Sequence, residues 1–254
     1  SLSNSLLRGG PAMLYPSSVN SWFNLGTNNS KKVFATVFAN ASRGAENVSE
    51  RYSAGIDFTV KPGQSFTASI EPSYSINRND IQWVSRSDDD EHYILSRIDQ
   101  QIVSMSLRMN YNITPDLTIQ YWGQPFLAAM DYSKFKVVTD PRAEKLADRY
   151  HLIADNEIEY DAGDNRYLVD EDRDGTVDYT FENPDNNYDQ FLSNLVLRWE
   201  FSPGSTLFLV WSQTRSYSDS TGSFSLEQNL DNLYTSKRPY DVFLVKFTYR
   251  FGLR

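Results

Sequence analysis

Read two residues at a time, the chain separates into segments with one apolar and one polar face. From Asp241 to Arg254, Phe243, Val245, Phe247, Tyr249, Phe251 and Leu253 alternate with Val242, Leu244, Lys246, Thr248, Arg250 and Gly252. Upstream, Tyr52, Ala54, Ile56, Phe58 and Val60 oppose Ser53, Gly55, Asp57 and Thr59. Val103, Met105, Leu107, Met109, Tyr111 and Ile113 likewise oppose Ser104, Ser106, Arg108, Asn110 and Asn112. Period two is the signature of a strand with an apolar neighbour on one side and a wet one on the other. The pattern predicts nine strands, at 20–28, 32–43, 50–60, 64–77, 92–113, 116–130, 188–202, 205–217 and 239–253.

The connections between them alternate in length. Tight turns ("NNSK", "KPG", "TPD", "SPG") follow every other strand, and long loops (43–50, 78–91, 131–187 and 218–238) follow the rest. Short turns on one side and long loops on the other describe an outer-membrane barrel. Phe58, Phe66, Tyr111, Tyr121, Trp199, Phe201, Tyr249 and Phe251 lie beside the tight turns, where an interfacial girdle belongs. The expected fold is an all-β, antiparallel up-and-down transmembrane β-barrel with long outer loops. If the tight turns are periplasmic, the first and last strands both run toward the periplasm. Bacterial single-chain barrels have even strand numbers, so the expectation for residues 1–254 is the C-terminal part of a larger barrel, about nine strands of it. The strand reaching Ile113 extends back to about His92, some 20 residues and on the order of 65 Å, which predicts a wall projecting past the outer leaflet.

Composition narrows the classes of function. Aromatics make up 14% of the chain, which favours strands over helices, and cysteine is absent, which removes disulfides and thiolate chemistry. No apolar run is long enough for a helical span, which leaves barrel strands untouched because half their residues face a wet lumen. The first residues, "SLSNSLLRGGPAML", show no signal peptide, so either one has been removed or the chain is a fragment. The net charge of −9 is local: between Asp155 and Asp185 there are 12 acidic residues against only Arg166 and Arg173. The remainder is close to neutral and carries no basic stripe for nucleic acid.

The sharpest motif lies in that acidic segment. In "DEDRDGTVD", Asp170, Asp172 and Asp174 stand at positions 1, 3 and 5 of a calcium-type loop, Gly175 at 6, Thr176 at 7 and Asp178 at 9. Thr176 would contribute its carbonyl oxygen. Position 12 is Phe181 where a full loop has a bidentate Glu, so a structural calcium site stands against a solvated acidic loop. Within 131–187, "TDPRAEKLADRYH" is the best helix candidate, with Asp140 as N-cap, Pro141 following and Leu146 and Tyr150 on one face. The only histidines, His92 and His151, fit no Ser-His-Asp spacing, and no catalytic residue is expected. Arg108, Arg198, Lys246 and Arg250, with Glu71 and Glu200, fall on the polar faces and predict lumen charge pairs or a selectivity ring.

Several stretches, among them "LLRGGP", "SYSINRND", "LSRIDQQ", "YWGQPF", "DPRAEKLADRY", "VDEDRDGTVDYTF", "SNLVLRW", "PGSTLFLVW" and "FLVKFTYRFG", span nearly the whole chain. Together they resemble an uncharacterised family of outer-membrane barrel proteins of diderm bacteria. In that family a module similar to family-nine carbohydrate-binding domains precedes a C-terminal barrel of unknown function. The resemblance implies an outer-membrane location and a carbohydrate connection through a module outside these residues. The expected function is a non-enzymatic channel, receptor or scaffold, with membrane lipid, extracellular ligands or carbohydrate, and other envelope proteins as partners. The alternatives are a secreted calcium-binding β-sandwich and an outer-membrane hydrolase.

Overall fold

All nine predicted strands form, within a few residues of their expected ends. The computed structural model describes residues 2–235 and 238–252. In chain order its strands are β1 (Leu2–Ser3), β2 (Met13–Leu14), β3 (Ser18–Gly26), β4 (Val33–Gly44), β5 (Ser49–Val60), β6 (Phe66–Arg86), β7 (Tyr93–Thr114) and β8 (Leu117–Val138). They continue as β9 (Tyr150–Leu152), β10 (Ile158–Asp161), β11 (Arg166–Val169), β12 (Tyr179–Glu182), β13 (Asn186–Ser202), β14 (Ser205–Asp219) and β15 (Tyr240–Thr248). One α-helix, α1 (Leu226–Thr235), precedes β15. The protein is therefore all-β and its sheets are antiparallel. The last predicted strand stops at Thr248, and Leu253 lies outside the described residues.

The main sheet runs in the order β15-β14-β13-β8-β7-β6-β5-β4-β3, with β9 added to β8. Apart from the excursion between β8 and β13, every strand pairs with its sequence neighbour, an up-and-down meander. The tight turns all fall at one end. At Pro203–Gly204 the chain reverses between the paired Ser202 and Ser205, and Gly204 has φ +80°. A Cβ there would also lie 2.7 Å from the Arg250 side chain, so the position needs glycine twice over. No closed barrel forms among the described residues: β3 and β15 are the two edges of the sheet.

Register carries one face across all nine strands. The cross-strand partners Ile70 and Leu107, Met109 and Tyr121, Tyr121 and Leu195, Leu195 and Trp211, and Trp211 and Phe243 share a side. That side is apolar from the tight turns upward. On β6 it runs from Phe66 to Ile76, about 33 Å along the strand and about 25 Å at the tilt usual for barrel strands. Above it the same face turns charged. Arg43 pairs in register with Glu50, Glu50 with Arg78 and Arg78 with Asp99. Ion pairs join Arg43 to Glu50 at 3.7 Å, Arg78 to Glu50 at 3.4 Å and Arg97 to Asp99 at 2.6 Å. Asp80 lies 4.0 Å from Arg78 and 3.9 Å from Arg97.

The opposite face is polar where the sequence predicts it. Arg198 and Glu200 form an ion pair at 2.7 Å, and the Lys246 ammonium sits 5.9 Å from the centre of the Phe208 ring. Ser73 and Ser104 bond across the ladder at 2.8 Å.

Beyond the charged row, β6, β7 and β8 continue into a cap built like a soluble domain. Ile94, Phe135 and Val137 pack with Val169, Tyr179 and Phe181 of the β10-β11-β12 sheet. The alternate residues Leu95 and Val138, with Ile81, pack on the other side with Leu7, Met13 and Val48. The wall thus becomes the middle of a three-layer core. This is why β6 and β8 outrun their predicted ends at 77 and 130. Bulges between Asn79 and Gln82 and between Trp83 and Ser85 shift the register on β6, and one on β8, where Lys134 has φ +51°, does the same against β7. A bulge breaks period two, and the second apolar layer removes the polar alternate face.

The helix predicted from Asp140 is corrected to one 3-10 turn at Leu146–Arg149. Asp140 caps a turn instead, its Oδ1 accepting the Arg142 N–H at 3.1 Å. Arg149 explains why the segment stays irregular. Its buried guanidinium donates to the carbonyls of Ala143, Glu144 and Leu14 at 2.8 to 2.9 Å, tying this loop to the N-terminal segment.

The true helix, α1, docks high on the face that is apolar lower down. Asn229 Nδ2 donates to both oxygens of the fully buried Asp189, at 2.9 and 3.1 Å. Leu233 is buried beside it.

Candidate functional site

The acidic motif is the loop of a β-hairpin. Val169, the last residue of β11, pairs with Tyr179, the first of β12, so residues 170–178 must turn within the span of one ladder rung. Asp178 N–H donates to the Val169 carbonyl at 2.8 Å, closing the base. Gly175 at φ +89° and Arg173 at φ +63° supply the left-handed residues that a tight loop of this kind needs.

Asp170, Asp172 and Asp174 converge. Each offers a carboxylate oxygen, and the three oxygens lie within 4.8 Å of one another. Oxygens on opposite sides of a calcium ion stand about 5 Å apart, given the usual calcium–oxygen distances. The loop backbone already turns toward these carboxylates: Gly175 N–H donates to Asp170 Oδ2 at 2.9 Å, Asp174 N–H to Asp172 Oδ1 at 3.1 Å, and Thr176 N–H to Asp174 Oδ1 at 2.7 Å. Asp178 does not join them. Its Oδ2 accepts the Glu171 N–H at 2.8 Å and braces the start of the loop. Phe181, at the position of the missing bidentate Glu, is buried in the cap core, and Glu182 pairs across the hairpin with Arg166.

Two supports hold the hairpin, and both use residues without a motif of their own. On one side the buried Glu157 accepts from Arg173 Nη2 at 2.5 Å, Ala154 N–H at 2.9 Å and His151 Nε2 at 3.2 Å. The Ala154 N–H first, and then the Arg173 guanidinium, hold the Glu157 carboxyl well below its ordinary range, at about 2. His151 sits on β9 opposite Val137 of β8, so this chain of contacts leads from the loop to the wall. On the other side Tyr179 donates to Glu171 Oε1 at 2.8 Å, and the His92 ring stacks on Tyr179 at 4.2 Å. Asp88 bonds Thr180 and Arg166 and clasps the 87–92 turn to the hairpin.

Both histidines thus flank the acidic loop, which their positions 59 residues apart in the sequence did not foretell. Neither forms a nucleophile relay. Ser87 Oγ and Asp89 approach the same ring nitrogen of His92, Nδ1, at 3.4 Å each, whereas a relay needs them on opposite nitrogens. The Ser87 hydroxyl also bonds Asp89 and accepts the His92 N–H, which orders the turn.

An up-and-down antiparallel sheet with a girdle of stacked aromatics and an acidic hairpin at its far end defines an all-β protein with a surface-built cap. The girdle is well ordered: Phe66 meets Tyr111 at 6.0 Å, Trp199 meets Phe201 at 5.9 Å, and Phe201 stacks on Phe247 at 5.5 Å. The chain belongs to the family described as a domain of unknown function, DUF5916, whose model matches residues 7–251. No curated protein and no solved structure matches it.

Proposed function

We propose that this chain is the wall of an outer-membrane β-barrel whose cell-surface cap carries a calcium-stiffened loop, acting without catalysis as a receptor, scaffold or channel. The observation that carries this reading is the single apolar face shared by nine strands. Its height of about 25 Å equals the lipid-facing band of outer-membrane barrels. Aromatic rings bound it near the turns, and Trp211, whose Nε1 donates to Asp241 at 2.8 Å, bounds it above on β14. Phe243, Val245, Phe247 and Phe251 are 63–84% exposed. Water would not tolerate so broad an apolar surface, and lipid would. No helix among the described residues is long and apolar enough to cross a membrane, so spanning would fall to the strands.

The purified protein is expected to require detergent to remain monodisperse. In a variant keeping only Trp199, fluorescence should be quenched by vesicles carrying brominated acyl chains. A chain that stays soluble and monodisperse without detergent fits a secreted calcium-binding sandwich and overturns the barrel.

Calcium rests on the convergence of Asp170, Asp172 and Asp174, with the Thr176 carbonyl and Asp178 available as further oxygens on the same loop. A structural ion there would offset the repulsion among 12 acidic residues in one short segment. Extracellular ligands, carbohydrate among them, and other envelope proteins are the partners such a cap would meet.

A further inference from the structure

On the proposed lipid-facing side, immediately beneath the charged row, the wall is dented. Phe23, Ala39, Ala54 and Tyr74 form one cross-strand row over β3 to β6, and Ala41 and Tyr52 lie side by side in the row above. Three alanines make a floor and three aromatics make the sides of a groove of about 500 Å³, a volume within the range of small-molecule sites. The next row up is Arg43, Glu50 and Arg78. The groove is therefore apolar below and charged above, across a distance of one residue pair.

We infer that this groove seats one zwitterionic phospholipid of the surrounding bilayer, an acyl chain against Ala39, Ala41 and Ala54 and the headgroup against Arg43, Glu50 and Arg78. The inference rests on the reading of this face as lipid-facing. The charge order selects the headgroup. Two guanidiniums flank one carboxylate, so phosphate finds Arg43 and Arg78 while an ammonium finds Glu50 between them. Arg43 is available for this: its side chain is 62% exposed and its ion pair with Glu50 is loose at 3.7 Å. Arg78 Nε is buried without a hydrogen-bond partner, leaving a donor of that guanidinium unused. Asp80 and Asp99 do not compete for the phosphate, since Asp99 is held by two bonds from Arg97 and Asp80 lies behind Arg78.

The test is native mass spectrometry of the full chain released from detergent micelles doped with phosphatidylethanolamine or, separately, with diacylglycerol. The wild-type chain is expected to retain phosphatidylethanolamine and to lose diacylglycerol. Ala54→Phe, which fills the floor, should abolish retention. Arg43→Ala, an exposed change that spares the fold, should weaken it by about tenfold or more, the effect of losing a charge-assisted contact. Retention unchanged in Arg43→Ala, or diacylglycerol held as well as phosphatidylethanolamine, overturns the inference. A chain that needs no detergent overturns the membrane reading instead, and the two failures are told apart by that first purification step.

Discussion

Two buried carboxylates in the cap respond to acid in opposite senses. Glu157, held at about 2 against an ordinary value of 4.5, contributes stability that is present above pH 4.5 and lost as the pH falls from there toward 2. Asp185 is pushed up to about 6, chiefly by burial, although its Oδ1 accepts the Tyr132 N–H at 2.7 Å. Its contribution is present below 3.8 and lost as the pH rises through 6. Urea titrations of the cap, followed by near-ultraviolet circular dichroism, should therefore show stability rising as the pH drops from 6 and then falling below 4.5. Glu157→Gln should flatten only the lower limb, and an acid limb unchanged in that variant would contradict the role given to Glu157. Neither group was legible in the sequence. A glutamate in an acidic run looks solvated, and only the fold brings Ala154, His151 and Arg173 around it.

The hairpin β11–β12 is where sequence and structure agree most closely, because spacing dictates the local chemistry. Carboxylates at alternate positions followed by glycine fold back on their own backbone whatever the rest of the chain does. Spacing did not reveal that Asp178 is occupied by the Glu171 N–H, since that depends on how the hairpin base closes. Asp172→Ala combined with Asp174→Ala should abolish calcium-dependent protection of residues 155–185 from protease; equal digestion of the wild-type chain in calcium and in chelator would reject the calcium site. The helix α1 was legible and went unread. Ser225 followed by Gln228 is a capping-box pattern, and Leu226, Leu230 and Leu233 fall on one face. By contrast, the bulges of β6 and β8 leave no sequence signal beyond a loss of alternation, which reads equally well as a strand ending.

At the scale of the whole molecule, the same three strands serve two surroundings. Below the charged row, β6, β7 and β8 have one apolar face and one polar face; above it they are apolar on both. The stretches shared with the family follow this division. "LLRGGP" and "DPRAEKLADRY" supply Leu7, Leu146, Arg149 and Tyr150 to the cap, and Gly10 lies so close to the Tyr93 ring that a Cβ would be 2.3 Å from it. "VDEDRDGTVDYTF" supplies Tyr179 and Phe181. Phe181→Ala should lower the stability of the cap by about 3–5 kcal/mol through the cavity it leaves. Hydrogen exchange should show the loss in β10–β12 and the upper ends of β6–β8, with the lower halves unchanged. Uniform loss along all three strands would mean that wall and cap unfold as one unit.

The unbroken length of those strands also sets how the molecule answers a pull. β6, β7 and β8 are 21 or 22 residues long and enter the cap without a hinge. A force applied to the cap along the strand axis loads the hydrogen bonds of the ladder together, in shear, and cannot open them one after another as peeling would. A ligand tugging on the surface of the cap would meet the stiffest direction of the sheet, and the strain would travel along these three strands directly into the wall.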